Sequence, residues 1–209
     1  MTEQITAPAH RFPIWMFALT VVVISATNVA VWAIHGDGEL AVRAYTTWTA
    51  RIAFVLFILA FAASSLQALR PNKVTNRLVM QRRYVGLNFA LAHFVHLGAL
   101  IMVILITGVE PDLITIIFGG AAYVFILLMA LTSNDWSLQK LGRGWVRLHT
   151  LGGYYIWGIF AYTFAGNIFQ SSVSAMLLLI ALAAMGLKIQ AKTRPRIIAE
   201  DDLTPGDQA

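Results

Sequence analysis

The sequence predicts an all-α fold: a polytopic bundle of six transmembrane helices with both termini in the cytoplasm. Three observations carry this. Of 209 residues, 58% are hydrophobic and only 12% are Asp, Glu, Lys or Arg, roughly half the ~25% charge of an ordinary soluble domain, so a water-soluble globule is excluded. The apolar residues fall into long runs, the strongest being the twenty uncharged residues from Leu113 to Thr132. About 20 apolar residues cross a ~30 Å hydrocarbon core as a helix. Finally, the basic residues alternate between connections instead of gathering on one face.

Taken in order, the first span runs from Pro13 to Ile34, directly after Arg11, with no small-residue cleavage site before the turn His35-Gly36-Asp37-Gly38. It therefore reads as a retained helix and not a signal peptide. The second runs from Ile52 to Leu69, between Arg51 and Arg70, and the third from Tyr84 to Thr107, after Arg82 and Arg83. The fourth, Leu113 to Thr132, follows Glu110 and Asp112, and the fifth, Trp145 to Phe169, follows Arg143. The sixth, Ser171 to Leu187, ends at Lys188. The connection around Asn167 and Gln170 is so short that the last two helices should form a tight antiparallel hairpin. Residues 1–193 read as one transmembrane domain, and 194–209, rich in acids, Pro and Gly, as a short disordered cytoplasmic tail. No repeat of solenoid length is visible.

Thirteen of the fifteen Lys and Arg fall on one side: Arg11, then Arg70, Lys73, Arg77, Arg82 and Arg83, then Lys140, Arg143 and Arg147, then Lys188, Lys192, Arg194 and Arg196. The other side keeps Arg43 and Arg51 with Asp37, Glu39, Glu110 and Asp112. The positive-inside rule then places both termini in the cytoplasm. The net charge of +5 and the pI near 9.8 are thus explained by topology, and nothing resembles a nucleic-acid-binding face. Trp15, Trp32, Trp48, Trp136 and Trp145 fall near span ends as interfacial anchors. The absence of Cys excludes disulfides, thiolate metal sites, iron–sulfur clusters and thiol catalysis.

No Asp, Glu, Lys or Arg lies well inside a span, which argues against a proton pump or ion-coupled transporter. Histidines are the exception. His93 and His96 are three residues apart in the third span, on one helical face, with Gly86 and Gly98 nearby. His149 lies early in the fifth and is followed by Gly152 and Gly153, whose missing side chains leave room for a flat ligand or for a closely packed helix. Imidazoles on facing helices are a usual way to hold a b-type haem. The plainer reading makes them interhelical hydrogen-bonding residues. His10 and His35, at span ends, read as interfacial.

The stretch Arg82-Arg83-Tyr84-Val85-Gly86-Leu87 followed by His96, and downstream Leu131-Thr132-Ser133 with Leu141-Gly142-Arg143-Gly144-Trp145-Val146-Arg147-Leu148-His149, resemble in order two motifs of the ferric reductase-like transmembrane domain. Within that family the chain is most similar to the haem-binding membrane subunit of the periplasmic methionine sulfoxide reductase system, the MsrQ or YedZ type. The resemblance covers about residues 49–162. It implies a bacterial inner-membrane protein with one or two b haems, passing electrons from a cytoplasmic flavin reductase or quinol to a periplasmic acceptor. Flavin or quinone would come from a partner, with the chain as part of a larger membrane complex. Carried over by position, His96 and His149 match axial iron ligands, and the family's second fifth-helix histidine falls on Tyr162.

Depth sharpens this departure. His96 is thirteen residues past Arg83, ~20 Å deep, whereas His149 is two past Arg147, ~3 Å deep at 1.5 Å per residue. The two should not share one iron, and each level then has one histidine, completed by Tyr162, water or another imidazole such as His93, or lost. Tyr162 and His93 also have structural readings, as a packing Tyr and a hydrogen-bonded His. Arg82, Arg83 and Arg147 sit where they could neutralise haem propionates, and as topology determinants they need no further role. The expected function is an electron relay that forms part of an oxidoreductase system without being a complete enzyme. A haem-poor or haem-free accessory subunit on the same fold is the alternative, and solute transport has only the helix count in its favour.

Overall fold

The computed structural model describes residues 13–193. Residues His10, Arg11, Arg194 and Arg196 and the expected tail lie outside them. The described chain is helical: α1 (Ile14–His35), α2 (Glu39–Leu69), α3 (Lys73–Thr107), α4 (Leu113–Leu131), α5 (Asp135–Leu141), α6 (Arg143–Gly166) and α7 (Ser172–Thr193). Five of these, α1, α2, α3, α4 and α7, are long and apolar enough to cross a membrane, and the protein is a multi-pass membrane protein. α6 has a comparable length of 24 residues but carries Arg143, Arg147 and His149 in its first two turns.

The helices begin where their caps dictate. Asn72 accepts from the amides of Val74 and Thr75 while the Thr75 hydroxyl accepts from the Asn72 amide, a reciprocal capping box that starts α3 eleven residues before the apolar run. Asp112 caps α4 through the Thr115 amide, and Asn134 caps α5 through the Ser137 amide. α3 ends at Gly108, whose φ of 67° places it in the left-handed region favoured by glycine. α2 starts at Glu39 and so includes polar residues before Ile52. There Glu39 pairs with Arg43 one turn on, and the hydroxyls of Thr46 and Thr47 return to carbonyls four residues back. The polar groups are satisfied within the helix, so it continues. At 31 and 35 residues, α2 and α3 are about 46 and 52 Å long and overrun a ~30 Å hydrocarbon core.

α2 and α3 form an antiparallel hairpin, with α1 laid against both; α7 packs on α2 and α6, and α4 on α6. The expected α6–α7 hairpin is present and is fastened by the Trp157 indole donating to the Ala181 carbonyl at 2.9 Å. Between α2, α3 and α6 the interior is a ladder of rings. Phe54, Phe57 and Phe61 recur at helical spacing along α2 and meet Phe89 of α3 and Phe160 and Phe164 of α6. Phe54 meets Phe164 edge-on at 4.9 Å, and Phe57 lies 5.3 Å from Phe89 and 5.5 Å from Phe160. In lipid such dispersion and edge-to-face contacts, more than water exclusion, hold helices together. Large apolar side chains cover the outside, Leu105 and Phe169 among them. In water that surface would be an aggregation hazard, whereas a bilayer solvates it.

The fourth-to-fifth connection is more than a loop. It holds the seven-residue helix α5 and the turn glycine Gly142, at φ 48°. α5 is tied to α3 by an ion pair between Asp135 and Arg83, which places both basic connections at one end of the bundle, the basic end. Hydrogen bonding to the Arg83 guanidinium holds the Asp135 carboxyl below the usual carboxylate range. A depressed carboxyl contributes stability above its ordinary pKa of ~3.9 and loses it as pH falls through the depressed value. We therefore expect the protection of α5 amides, relative to their intrinsic exchange rates at each pH, to fall on acidification below about pH 4, and Asp135→Asn to show the lower protection already at neutral pH.

Candidate functional site

At the basic end α3 and α6, with α2, α4 and α7, line a cavity of about 210 Å³. One face of α3 supplies Arg82, Gly86 and Phe89, and one face of α6 supplies Trp145, His149 and Gly153 at four-residue steps. Phe57 and Phe61 close the α2 side, Met129 and Ser133 the α4 side, and Lys188 of α7 the remaining corner. The two α6 glycines separate here. A Cβ at Gly152 would lie 2.5 Å from the Met129 sulfur and 3.2 Å from a Phe125 ring carbon, so this glycine admits α4. A Cβ at Gly153 would touch only Phe61, at 3.9 Å, and one at Gly86 would meet nothing within 4 Å. Those two glycines open onto the cavity.

The cavity is electrically unbalanced. No Asp or Glu is among its lining residues, while Arg82, Arg83 and Lys188 are. Arg83 has its carboxylate in Asp135. Arg82 donates only to neutral acceptors, the Ala60 carbonyl at 2.9 Å and the Ser64 hydroxyl at 3.2 Å. The Lys188 ammonium lies over the rings of Phe61 at 4.4 Å and Tyr154 at 5.5 Å. Two cations held on carbonyls and aromatic faces around an apolar cavity suit a ligand that is flat, largely apolar and anionic at one edge.

His149 reaches this cavity stacked on Trp145, ring centroids 3.9 Å apart. Its Nε2 lies 3.1 Å from the Thr132 hydroxyl. That hydroxyl donates to the Leu128 carbonyl at 2.7 Å, and the Trp145 indole donates to the Thr132 carbonyl at 2.8 Å. The hydroxyl therefore accepts from Nε2–H, and the lone pair of His149 lies on Nδ1.

The second histidine group lies farther along α3. From Gly86 to His96 is ten residues, about 15 Å along the helix, so His96 and His149 occupy different levels. His96 Nδ1 lies 3.1 Å from the Thr46 carbonyl and 3.2 Å from the Thr49 hydroxyl of α2. His93 is enclosed by rings, 5.0 Å from Tyr123, 5.3 Å from His96 and 5.6 Å from Phe160. Its Nδ1 and the Tyr123 hydroxyl are both buried without a hydrogen-bond partner.

The structure thus gathers Arg82, Arg83 and His149 at one cavity and pairs His93 with His96 elsewhere. It brings neither Arg147, exposed on α6, nor Tyr162, 77% exposed, to either place. His35 is exposed in the last turn of α1. Among the described residues no cluster of three or more His, Asp or Glu could hold a bare metal ion. Sequence reasoning assigned Lys188 only to topology and passed over Tyr154, Tyr123, Thr46 and Thr49. The close run of threonines at 46, 47 and 49 just outside an apolar span was the available signal for the last two.

The chain is 30% identical over 166 residues to the protein-methionine-sulfoxide reductase heme-binding subunit MsrQ of Brucella anthropi, covering 71% of this chain and 74% of that protein. The subunit of the same name from Brucella melitensis is 30% identical over 131 residues, 58% of this chain and 59% of the relative. That from Brucella ovis is 35% identical over 80 residues, 35% and 36% of the two chains. No protein-family profile matches the chain, and no solved structure matches it.

Proposed function

Because the chain belongs to the family of MsrQ heme-binding subunits of protein-methionine-sulfoxide reductase, we propose that it is the haem-bearing electron-transfer subunit of such a system. In this reading α6 is the fifth of six spans and belongs to a ferric reductase-like core, both termini lie in the cytoplasm of a bacterial inner membrane, and residues 1–193 form one domain. The basic end then faces a cytoplasmic flavin or quinol donor, and the far end a periplasmic acceptor. Alternation of six spans supports this orientation, since it sets the basic connections carrying Arg83 and Lys140 and the Lys188 end of α7 on one side.

The observation that carries the reading is the unbalanced cavity between α3 and α6. Gly86 and Gly153 leave a flat space there, the phenylalanines of α2 and α3 wall it, and His149 offers an imidazole at its edge. Arg82 and Lys188, without carboxylate partners at the mouth, would hold carboxylates of a b-type haem. At the farther level His96, its Nδ1 occupied by α2, would offer Nε2, with His93 beside it. When bound, haem supplies the one-electron chemistry. The chain supplies orientation, a low dielectric, exclusion of water and counter-charge. Purified wild-type protein is expected to give a b-type pyridine haemochrome spectrum, and absence of haem after expression with haem supplementation would sink the reading.

A second reading, a haem-poor accessory subunit on the same fold, is favoured by two features. His149 Nε2 is engaged by Thr132, and Tyr162, at the position of the family's other fifth-helix ligand, faces outward. The same spectrum separates the two.

A further inference from the structure

Thr49 lies on α2 with 0% of its surface exposed. Its hydroxyl stands 3.0 Å from the carbonyls of both Tyr45 and Thr46, and 3.2 Å from His96 Nδ1. A hydroxyl has one hydrogen. Given to a carbonyl of its own helix, that hydrogen leaves only a lone pair facing the imidazole. The Thr46 carbonyl, 3.1 Å from the same Nδ1, can only accept. Both groups facing Nδ1 are therefore acceptors, and Nδ1 must be the nitrogen that carries the hydrogen. The opposite protonation would set a bare nitrogen against a carbonyl oxygen inside the bundle, an unpaired and repulsive contact.

We propose that Thr49, with the Thr46 carbonyl, is a positioning group for His96: it fixes the ring as the Nδ1–H tautomer, facing α2, and leaves the Nε2 lone pair turned into the bundle for a metal. The ligand role of His96 rests on the haem reading above; the tautomer does not. A ligating imidazole held through its other N–H by a carbonyl or hydroxyl has a fixed orientation and a higher basicity, and loss of such a partner costs about 10–100-fold in metal affinity. Thr49 differs from a packing residue in that its hydroxyl, and not its volume, performs the role.

Two measurements test this. In the haem-free protein, ¹⁵N shifts of His96 should report Nδ1–H and a bare Nε2. Finding Nε2–H instead would overturn the proposal while leaving haem binding intact. In the loaded protein, Thr49→Val keeps the shape and removes the acceptor. Haem affinity should fall about tenfold, the low end of the range because the Thr46 carbonyl remains, and the midpoint potential should move positive as the less basic imidazole favours the ferrous state. Thr49→Ser should restore both. An unchanged Thr49→Val protein, or failure of Ser to rescue it, would overturn the proposal. Absence of haem from the wild type alongside the Nδ1–H tautomer would overturn the haem reading and uphold the fixed tautomer.

Discussion

Gly86→Leu is expected to abolish haem loading at the basic-end cavity while leaving the bundle folded. No neighbouring atom lies within 4 Å of a Cβ at this position, and Gly86 lines the cavity of about 210 Å³, so the new side chain extends into the space assigned to the flat ligand. The backbone there is ordinary helix, where replacing glycine by leucine is favourable by about 0.5–1 kcal/mol. Contact of the new side chain with the rings that line this space, Phe57, Phe61 and Phe89, adds to this. Haem at the basic-end level should drop more than tenfold with the signal of the His96 level kept, while the thermal midpoint of the haem-free protein stays level or rises. Gly152→Leu is the contrasting control, since its first added atom already stands 2.5 Å from the Met129 sulfur, and overpacking of this kind costs about 1–3 kcal/mol. Loss of helicity in Gly86→Leu, or full haem content, would contradict the assignment of the cavity.

Lys188→Glu should weaken haem binding by about 2 kcal/mol or more, roughly 30-fold, because it removes a cation at a partly buried site and adds a charge of the wrong sign. The new carboxylate would also compete for Arg82, which lines the same cavity. Lys188→Gln should cost less, about tenfold, since only one charge is lost. Haem titration of the purified variants measures both. Equal affinities across Lys, Gln and Glu would show that the cavity holds no anionic group.

The apolar runs made the bundle legible: span ends at Leu69, Thr107 and Leu113 coincide with helix ends, because charges and turn residues stop the hydrophobic pattern and the helix together. The starts of α2 and α3 were not legible. A hydropathy pattern shows which residues lipid tolerates, whereas helix continuation depends on whether polar side chains such as Thr46, Thr47 and Arg43 find partners within the helix. The seven-residue α5 is too short to carry a period and is fixed by the Asn134 cap and the Asp135–Arg83 pair.

The site was half legible. The motif residues Arg82, Gly86 and His149 do converge, because four-residue spacing keeps each on one face of its helix. Lys188 was hidden inside the topology signal, since a basic residue at a span end has the same sequence appearance whether it faces headgroups or a cavity. Gly152 and Gly153 could be told apart only by the phase of α6 against α4, which no single helix reveals. Tyr162 is a different lesson. Thirteen residues past His149, it sits roughly 220° around the helix at about 100° per residue, so helical phase alone sets it away from the face that carries Gly153 and Phe160.

The central claim is that this bundle holds haem through histidines at two levels, with the cavity at the basic end as one of them. Protohaem and iron quantified per chain in the wild type, His149→Ala and His96→Ala, purified in parallel, test it most directly. The account predicts a b-type signal in the wild type and a loss in each variant, with distinct residual spectra because the two imidazoles stand at different levels. A wild type without haem, or variants that both retain its full complement and spectrum, would contradict it.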